Sequence, residues 1–506
     1  MQITRKLITL LMLLIYAGGC NQKSTDVELP LSSNNEEALK HYSDAQYWWA
    51  QGEGNRGRES MEKALGADPN FILANLYVPT GDPNKWKEYR DRAKQNGNNG
   101  NDYEKLSIKM WEANREGRSM DVIGLCKELV SKYPNSSGAY VELGNAYTSI
   151  EDFDNAIDNY NKALTINPKS YLAWRGLASH QITFGGNSLL PKDKQSKSLA
   201  LKYTKGMVRS RPNAPFSYQA QGNVERQYGN MKNAGKHYKK MIEVAEETNA
   251  TTLGNGYNLL AHTYLFSNDY DNARKNYQLA YEKAPFDVSK YGFGEFGLWS
   301  YLFEQDYEGA LIAADELEIK LSDLDLSKAQ MLDRKANLQF NRFLAYAHNK
   351  NKSSAYSAMK ANWKIRSDRM GISKTKDEVA QGNYIIFNTW MESWYYILFN
   401  DNDKAKKSLE KLYGMVKNFQ DPGTLDGYNG LSGMMNYLSG NYDKALDHFK
   451  SIEKENNLYF SYWKALTYEA TGENNKAQEI FEFLANWNFQ GWEPALVRGL
   501  AKNKLS

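Results

Sequence analysis

The sequence predicts an all-α fold in which a pair of amphipathic helices repeats along the chain. The clearest copy is 137–170, where small and aromatic residues alternate, and Pro168 follows because proline cannot continue a helix. Shifting this pattern by about 34 residues in either direction finds further matches, and such a period indicates helical repeats. One pair buries too little apolar surface to fold alone, so the pairs are expected to stack into a solenoid.

Composition and charge agree with a folded soluble body and exclude one class of partner. The 506 residues are 41% apolar and 24% charged, and the net charge is +3. Without residues 1–19 the balance is 61 basic against 60 acidic residues, a net charge of +1. Such a chain has no overall field to attract nucleic acid, so we expect no nucleic-acid partner.

The N-terminus has the three-part layout of a secretory signal peptide over residues 1–19. Arg5 and Lys6 precede an apolar run at 7–17, and small residues lead to Cys20. The apolar run is too short to cross a bilayer, which takes ~20 residues. The ending Ala-Gly-Gly-Cys resembles the lipobox of bacterial lipoproteins, which implies cleavage before Cys20 and acylation there, palmitate included. The alternative is an ordinary secretory signal with an incidental cysteine.

Residues 20–35 are expected to form a flexible tether from the lipidated Cys20, since this stretch is polar and rich in serine. Two or more acyl chains anchor a protein stably to a membrane. Asn21 stands where an Asp would resemble an inner-membrane retention signal. We therefore expect a lipid-anchored protein of the bacterial cell envelope, at the outer membrane. With Cys20 acylated, Cys126 has no disulfide partner and is expected to be a buried structural thiol.

The body of the chain resembles the tetratricopeptide repeat (TPR) family. The resemblance covers most of 36–485 and is strongest at 103–178 and 254–285. It implies a right-handed α-solenoid of tetratricopeptide-type helix pairs. In the clearest copy the matching residues are Tyr140, Leu143, Gly144, Tyr147, Ala156, Tyr160, Ala163 and Pro168.

Two sub-arrays are predicted within this body, 36–370 and 371–506, because the stretch 368–383 departs from the repeat pattern. The second sub-array ends in a short, basic-ended helix at 493–506. Such an end helix is expected to cap the exposed core of the solenoid.

A Gly-x-Gly-x-x-Gly spacing occurs at Gly292, Gly294 and Gly297. A dinucleotide-binding loop needs a preceding strand and a following helix, whereas residues 286–290 are not a buried strand. The repeat register places the three glycines on the first helix of a pair. We therefore expect them to allow close packing of helices, and we predict no cofactor.

No motif indicates an enzyme or a metal site. The six histidines form no His-Glu-x-x-His motif, and neither a Walker A nor a Gly-x-Ser-x-Gly sequence occurs. Carboxylate pairs lie at helix starts or on polar faces, where solvation explains them. The sequence therefore predicts no catalytic residues and no metal ligands.

In tetratricopeptide proteins the first helices of successive pairs line a concave groove. Amide side chains there suit the backbone of an extended peptide, and arginine suits a carboxylate. The alternative is a plain solvated face. The residues predicted to line the groove are Asn145, Arg175, Gln219, Asn223, Arg226, Asn258, His262 and Trp299.

The resemblance implies a membrane-anchored scaffold that binds a protein or peptide partner in this groove. The alternative is a glycan- or nutrient-binding surface lipoprotein that works with an outer-membrane transporter. The many aromatic residues suit sugar stacking, but they fall mostly on repeat-core positions, which favours the scaffold. An exposed aromatic platform away from those positions would favour glycan binding.

Overall fold

The computed structural model describes residues 28–182, 189–372, 378–419, 423–453 and 457–506. Within these ranges the chain forms 25 α-helices and two short 3₁₀ turns, and no strand occurs in them. The all-α class is confirmed. The signal peptide and Cys20 lie outside the described residues.

The helices follow one another as pairs joined by short turns. Helices α1 to α12 are Glu36–Ala50, Gly54–Ala67, Ile72–Tyr77, Pro83–Asn96, Asp102–Arg115, Ser119–Lys132, Ser137–Ser149, Phe153–Ile166, Tyr171–Gln181, Lys197–Ser210, Pro215–Gln227 and Met231–Glu247. Helices α13 to α25 are Leu253–Phe266, Tyr270–Lys283, Asp287–Glu304, Tyr307–Leu321, Lys328–His348, Lys352–Met370, Glu378–Leu398, Asn402–Val416, Asp426–Leu438, Tyr442–Lys450, Leu458–Ala470, Asn474–Ala485 and Trp492–Leu505. Odd-numbered helices are the first members of their pairs, and α25 stands alone at the end.

The turn inside a pair has a recurrent local geometry. One residue adopts left-handed backbone, as at Glu151 with φ +64°, and the next residue caps the second helix. In this case the Asp152 carboxylate accepts the backbone N–H of Asn155 at 3.3 Å. Such side-chain caps satisfy the free N–H groups of a helix start, so these short polar sequences set the reversal locally.

Glycines on first helices allow the two members of a pair to approach closely. A Cβ on Gly144 would lie 2.8 Å from the Tyr160 ring, and one on Gly222 would lie 2.2 Å from the Tyr238 ring. Gly433 meets Phe449 in the same way at 2.6 Å. The packing role expected for small residues at this position is therefore confirmed.

The Gly-x-Gly-x-x-Gly sequence lies inside helix α15, as predicted. A Cβ on Gly294 would come within 2.5 Å of Leu317 on α16, so this glycine serves close packing. A Cβ on Gly297 would lie at an ordinary contact distance from its nearest neighbour, and a Cβ on Gly292 would meet no atom within 4 Å. Close packing therefore explains only the middle glycine of the three.

The contacts divide the chain into two compact units, 1–256 and 257–506, called unit 1 and unit 2 below. The division falls inside α13, whereas the sequence predicted a boundary at 370–371. The sequence interruption there is a local feature, and α19 still packs against α18. A break in the repeat pattern therefore need not be a break in packing.

The predicted tether of 20–35 is longer than the structure allows. Ser32 donates from its backbone and its hydroxyl to Glu104 at 2.9 and 2.8 Å, and Leu29 is buried. The Asn101 amide donates to the Pro30 carbonyl at 2.9 Å. Packing of the body therefore begins before α1, because these residues find partners on α5 that are far away in sequence.

Candidate functional site

The predicted groove residues of unit 1 lie on first helices, as expected, and they make internal contacts. Asn145 on α7 accepts the Tyr160 hydroxyl at 2.7 Å, and on α11 the buried Asn223 accepts the Tyr238 hydroxyl at 2.8 Å. Both hydrogen bonds join the two helices of one pair. Each amide thus helps to hold its own helix pair together and is already engaged by a neighbouring hydroxyl.

Three more predicted residues of unit 1 are also engaged or enclosed. Arg175 stacks on the Phe216 ring at 4.8 Å, and burial lowers the pKa of Arg175. Gln219 accepts weakly from Asn255 at 3.4 Å. Arg226 is only 4% exposed. Of these three, Arg175 and Gln219 keep partial contact with solvent.

The N-terminal hairpin, α1–α2, also contacts residues far along unit 1. Arg175 donates to the Ala50 carbonyl at 3.2 Å, across 125 residues of sequence. Glu53 accepts the backbone N–H and the hydroxyl of Thr251 at 3.0 and 2.5 Å. Arg211 stacks on Tyr47 at 5.0 Å. Unit 1 is therefore closed by polar contacts from its own first hairpin.

The predicted groove residues of unit 2 are likewise directed inward. His262 is fully buried within 6.2 Å of the rings of Phe266, Tyr277 and Phe296, and Asn258 is 4% exposed. Trp299 donates to the Asn341 side chain at 2.9 Å and is half-buried. These three residues do not form an open surface.

An aromatic cluster fills the interior of unit 2. Trp394 is fully buried, donates to the Tyr459 hydroxyl at 3.3 Å and lies 5.5 Å from the Trp492 ring. His348 meets the same hydroxyl at 3.1 Å, and burial lowers the pKa of His348 to about 4. Four helices, α17, α19, α23 and α25, thus contribute to one cluster.

The C-terminal helix α25 is more than an exposed cap. Its residues 494–498 are all buried, and Arg498 donates to the Phe266 carbonyl at 3.0 Å. Gly499 approaches the end of α15 closely, since a Cβ there would lie 3.4 Å from the Phe303 carbonyl oxygen. The expected helix is present, and it closes unit 2 by packing against helices far back in the sequence.

An apolar cleft of about 220 Å³ opens on unit 2 between α19, α20 and α21. Its walls are mainly aromatic and aliphatic, and two polar residues, Asn383 and Thr424, stand at its edge. The residues that line it are Asn383, Ile386, Phe387, Trp390, Leu412, Val416, Thr424, Gly427 and Tyr428.

Two exposed aromatic side chains closely follow wall residues of this cleft in the sequence. Tyr413 is 43% exposed and stacks 4.9 Å from Tyr428, which is a wall residue. Phe419, three residues beyond the wall residue Val416, is 54% exposed. We call the lining residues together with Tyr413 and Phe419 the aromatic cleft.

Sequence reasoning did not single out the aromatic cleft. The aromatic residues were expected mostly at repeat-core positions. The sequence feature that could have indicated the cleft is the aromatic-rich stretch 384–396, which holds two tryptophans and three tyrosines. Only the fold separates Trp394, which is fully buried, from Trp390, which faces the cleft.

A second, more polar cleft of about 270 Å³ lies on unit 2, lined by Tyr356, Tyr395, Tyr396 and the charged residues Lys352, Asp401 and Lys404. Lys404 pairs with Asp401 at 3.0 Å and also lies over the Tyr396 ring. One of its two lysines is therefore already paired with the aspartate of the cleft.

The described part of the chain offers little reactive chemistry. No group of three His, Cys, Asp or Glu residues in it could hold a metal ion. Cys126 is 1% exposed, its thiol lies 3.3 Å from the Met110 sulfur, and burial raises its pKa. The prediction of a buried structural thiol is confirmed. Among the described helices, none combines the length and hydropathy needed to cross a membrane.

Comparison with known proteins identifies repeats in two places. Residues 138–170 and 255–286 each match a tetratricopeptide repeat model, in the two regions where the sequence pattern is strongest. No match was found among curated proteins. The chain therefore contains tetratricopeptide repeats.

Solved structures similar to this chain include three helical proteins. A tetratricopeptide repeat protein from Parabacteroides merdae has 16% identity and a TM-score of 0.36, over 55% of this chain and 96% of its own. The APC/C hetero-tetramer Cut9-Hcn1 has 11% identity and a TM-score of 0.32, over 90% and 78%. The human IFIT1 dimer with m7Gppp-AAAA has 12% identity and a TM-score of 0.34, over 90% of each chain.

Proposed function

We propose that this protein is a lipid-anchored tetratricopeptide-repeat scaffold that binds a protein partner through the aromatic cleft of unit 2. The observation that carries the proposal is an open apolar cleft with exposed aromatic side chains beside it. Contiguous exposed apolar surface on a soluble body is typical of an interaction site. The predicted groove residues, in contrast, are mostly engaged in internal contacts.

The chemistry of the cleft suggests what it accepts. Apolar walls at Phe387 and Trp390 suit one large apolar side chain, and such anchors dominate the energy of protein interfaces. Asn383 is exposed at the edge, where its amide suits the backbone of a bound segment.

The charge of the residues around the cleft indicates which charge its partner should carry. Helix α20, which forms one wall, carries four lysines against one aspartate and one glutamate. Arg366 lies over the Phe387 ring at 4.6 Å, and Lys417 lies 6.0 Å from the Tyr413 ring. We therefore propose a partner segment with an apolar anchor flanked by acidic residues, since complementary charge promotes association.

The test combines crosslinking with affinity measurements. A photo-crosslinking amino acid replaces Phe419 at the cleft in full-length protein in cells, and Ile385 in a control. Ile385 is 46% exposed on α19 but does not line the cleft. A partner crosslinked only from position 419 is then purified and titrated.

Phe419→Asp is expected to weaken that partner at least tenfold, because it places a like charge beside an acidic segment and removes an apolar contact. Ile385→Asp should leave the affinity unchanged. Equal crosslinking from both positions, or unchanged affinity of Phe419→Asp, would contradict the proposal.

The lipid anchor rests on the sequence of residues 1–20 alone. Cys20→Ser is expected to abolish labelling by a palmitate analogue and to release the protein from the membrane fraction. Protease treatment of intact cells then tests the outer-membrane location and its leaflet. Retention of Cys20→Ser in the membrane fraction would contradict anchoring through this cysteine.

Glycan binding is a second candidate, favoured by Trp390 and Tyr428 in an open cleft away from the repeat-core positions. Flat aromatic faces with a few polar groups at the edge also suit a sugar ring. Screening soluble oligosaccharides by tryptophan fluorescence separates the candidates. Saturable quenching without any crosslinked protein would favour the glycan, and a crosslinked partner without quenching would favour the scaffold.

A further inference from the structure

The second cleft of unit 2, called the polar cleft below, is built by three successive helices. Its lining residues are Lys352, Tyr356, Tyr395, Tyr396, Asp401 and Lys404. The first two lie on α18, the next two lie on α19, and the last two lie at the start of α20. Because the lining comes from separate helices, the fold and not one stretch of sequence assembles this cleft.

One positive charge of the polar cleft is left without a partner. The Lys404 ammonium contacts the Asp401 carboxylate at 3.0 Å, and this contact is the main cause that lowers the pKa of Asp401. Lys352 is exposed, and its ammonium forms no ion pair with a carboxylate among the described residues. With two lysines against one aspartate, the lining has a net charge of +1.

The tyrosine rings of the polar cleft are held in place by one another and by the backbone. The Tyr395 hydroxyl donates to the Lys352 carbonyl oxygen at 3.2 Å, and its ring lies 5.5 Å from the Tyr356 ring. The Tyr396 ring lies 5.4 Å from the Tyr395 ring. Tyr356 is nevertheless 40% exposed. A tyrosine held in this way offers an apolar face to a ligand at a low cost in side-chain entropy.

The charges of the polar cleft favour a ligand with a single negative charge. An unpaired lysine attracts an anion, whereas the Asp401 carboxylate repels every further negative charge that enters the cleft. A carboxylate carries one negative charge, and a phosphate monoester carries close to two at neutral pH. The cleft therefore suits a carboxylate better than a phosphate.

The other properties of the polar cleft favour a small ring that bears hydroxyl groups. A carboxylate has lone pairs for several donors, so Asp401 can accept ligand hydroxyls besides the Lys404 ammonium. Aromatic faces with a few polar groups beside them suit a sugar ring. The cleft volume of about 270 Å³ lies below the ~300–1,000 Å³ of sites for drug-sized ligands, so it has room for one such ring.

We propose that the polar cleft binds a single sugar ring that carries a carboxylate, as in a uronic acid. The carboxylate pairs with Lys352, the Tyr356 ring packs against one face of the sugar, and Asp401 accepts its hydroxyl groups. The sugar is either a free monosaccharide or the end of a longer chain. The polar cleft shares no lining residue with the aromatic cleft, so this site is independent of the partner proposed there.

The experiment is a ligand-observed NMR titration of the full-length protein with methyl β-D-glucuronide. Saturable binding is the expected result. The neutral analogue methyl β-D-glucoside should bind about three- to fivefold more weakly, because it lacks the exposed ion pair with Lys352. Glucose 6-phosphate should also bind more weakly than the glucuronide, because Asp401 repels its second negative charge.

Two variants and their matched controls locate the binding. Lys352→Met should remove the preference for the glucuronide over the glucoside, and Lys406→Met should keep it, since Lys406 is exposed on α20 but does not line the cleft. Tyr356→Ala should weaken both sugars, whereas Tyr442→Ala, at an exposed tyrosine of the same unit, should weaken neither. Melting curves check that each variant folds, and Tyr356→Ala decides if Lys352→Met does not fold.

Three results would overturn the proposal. The first is equal affinity for the two methyl glycosides, or a preference that survives in Lys352→Met. The second is an equal loss of preference in Lys406→Met, because overall positive charge would then explain the binding. The third is tighter binding of glucose 6-phosphate than of the glucuronide.

A disaccharide that ends in glucuronate distinguishes the two sources of the sugar. Binding equal to or tighter than that of the methyl glucuronide indicates the end of a longer chain, and much weaker binding indicates a free monosaccharide. Phe419→Asp, which tests the aromatic cleft, should leave glucuronide binding unchanged. Failure of one proposal is therefore distinguishable from failure of the other.

Discussion

The two units close on themselves with opposite chemistries. In unit 1 the first hairpin buries apolar side chains such as Tyr42 and Met61, but its contacts to residues far along the chain are polar, as between Glu53 and Thr251. In unit 2 the interior is filled by aromatic rings around Trp394, and the last helix packs on α15. Aromatic burial contributes more free energy per residue than polar contacts exchanged with water do. We therefore expect the closure of unit 2 to be the more stable.

The largest effect on the stability of unit 2 is expected from removing the side chain at the centre of its aromatic cluster. Trp394→Ala is expected to lower the free energy of unfolding by about 3–5 kcal/mol, because the fully buried indole leaves a cavity. Denaturant titration measures the loss, and hydrogen exchange locates it in unit 2. The control Tyr442→Ala, 37% exposed, should cost less than about 1 kcal/mol. A small loss for Trp394→Ala would show that the rings are not what closes unit 2.

Packing inside a pair of unit 1 gives the next largest effect. Gly222→Ala places a Cβ 2.2 Å from the Tyr238 ring, and such overpacking costs about 1–3 kcal/mol. Gly66→Ala is the matched control, since its Cβ would meet no atom within 4 Å and should gain up to about 1 kcal/mol in helix propensity. Thermal melts compare the two variants. Equal effects would mean that the ring moves aside without cost.

Glu142 gives unit 1 a pH dependence of known sign. Its pKa in the folded protein, about 8, lies above the ordinary value of 4.5, so the folded state holds more protons between these limits. Stability contributed by this group is complete below pH 4.5 and is lost as pH rises through 8. Glu142→Gln removes the loss, so its advantage over the wild type should grow from pH 5 to pH 9, by at most about 4 kcal/mol and by less because the side chain keeps some contact with solvent. A constant difference across that range, by denaturant titration, would contradict the burial of the carboxylate.

Removing a single charge should weaken the polar contacts that hold the first hairpin in unit 1. Glu53→Gln keeps the shape of the side chain but weakens two hydrogen bonds to Thr251, at a cost of about 1 kcal/mol. Hydrogen exchange of α1 and α2 should accelerate while unit 2 stays protected. Unchanged exchange in both helices would show that Arg175 and Arg211 hold the hairpin without Glu53.

The smallest effect compares the same turn in both units. Glu151 in unit 1 and Lys350 in unit 2 have left-handed φ of +64° and +60°, which glycine adopts without strain. Glu151→Gly and Lys350→Gly should each raise stability by about 0.5–1 kcal/mol. The reverse change, Gly229→Ala at φ +75°, should lower stability by a similar amount. Melting temperatures that do not change in these directions would show that the turns adopt another backbone conformation in the variants.

The helices and their pairing could be predicted because the signals are local. Asp152 caps a helix that begins one residue later, and Gly144 meets Tyr160 only 16 residues on. Such contacts lie within one repeat, so one sequence window contains both partners. The same locality placed Gly294 correctly on a helix and Cys126 in the core.

The accessibility of the predicted groove could not be predicted, because it depends on which side chains of neighbouring helices, and at Arg175 of a distant hairpin, contact that face. Asn223 and His262 occupy groove positions in the repeat register, and yet both are buried. Arg175 is covered through Ala50, which lies 125 residues away. A repeat pattern specifies on which face of its helix a residue lies, but it does not specify which side chains pack against that face.

The sequence by itself determined the helix content, the repeat period and the turns, since each depends on neighbours along the chain. The tertiary structure alone decided that the first hairpin contacts Arg175 and Thr251, and that Trp394 is core while Trp390 lines a cleft. Such contacts join residues more than a hundred positions apart, so no single stretch of sequence contains both partners.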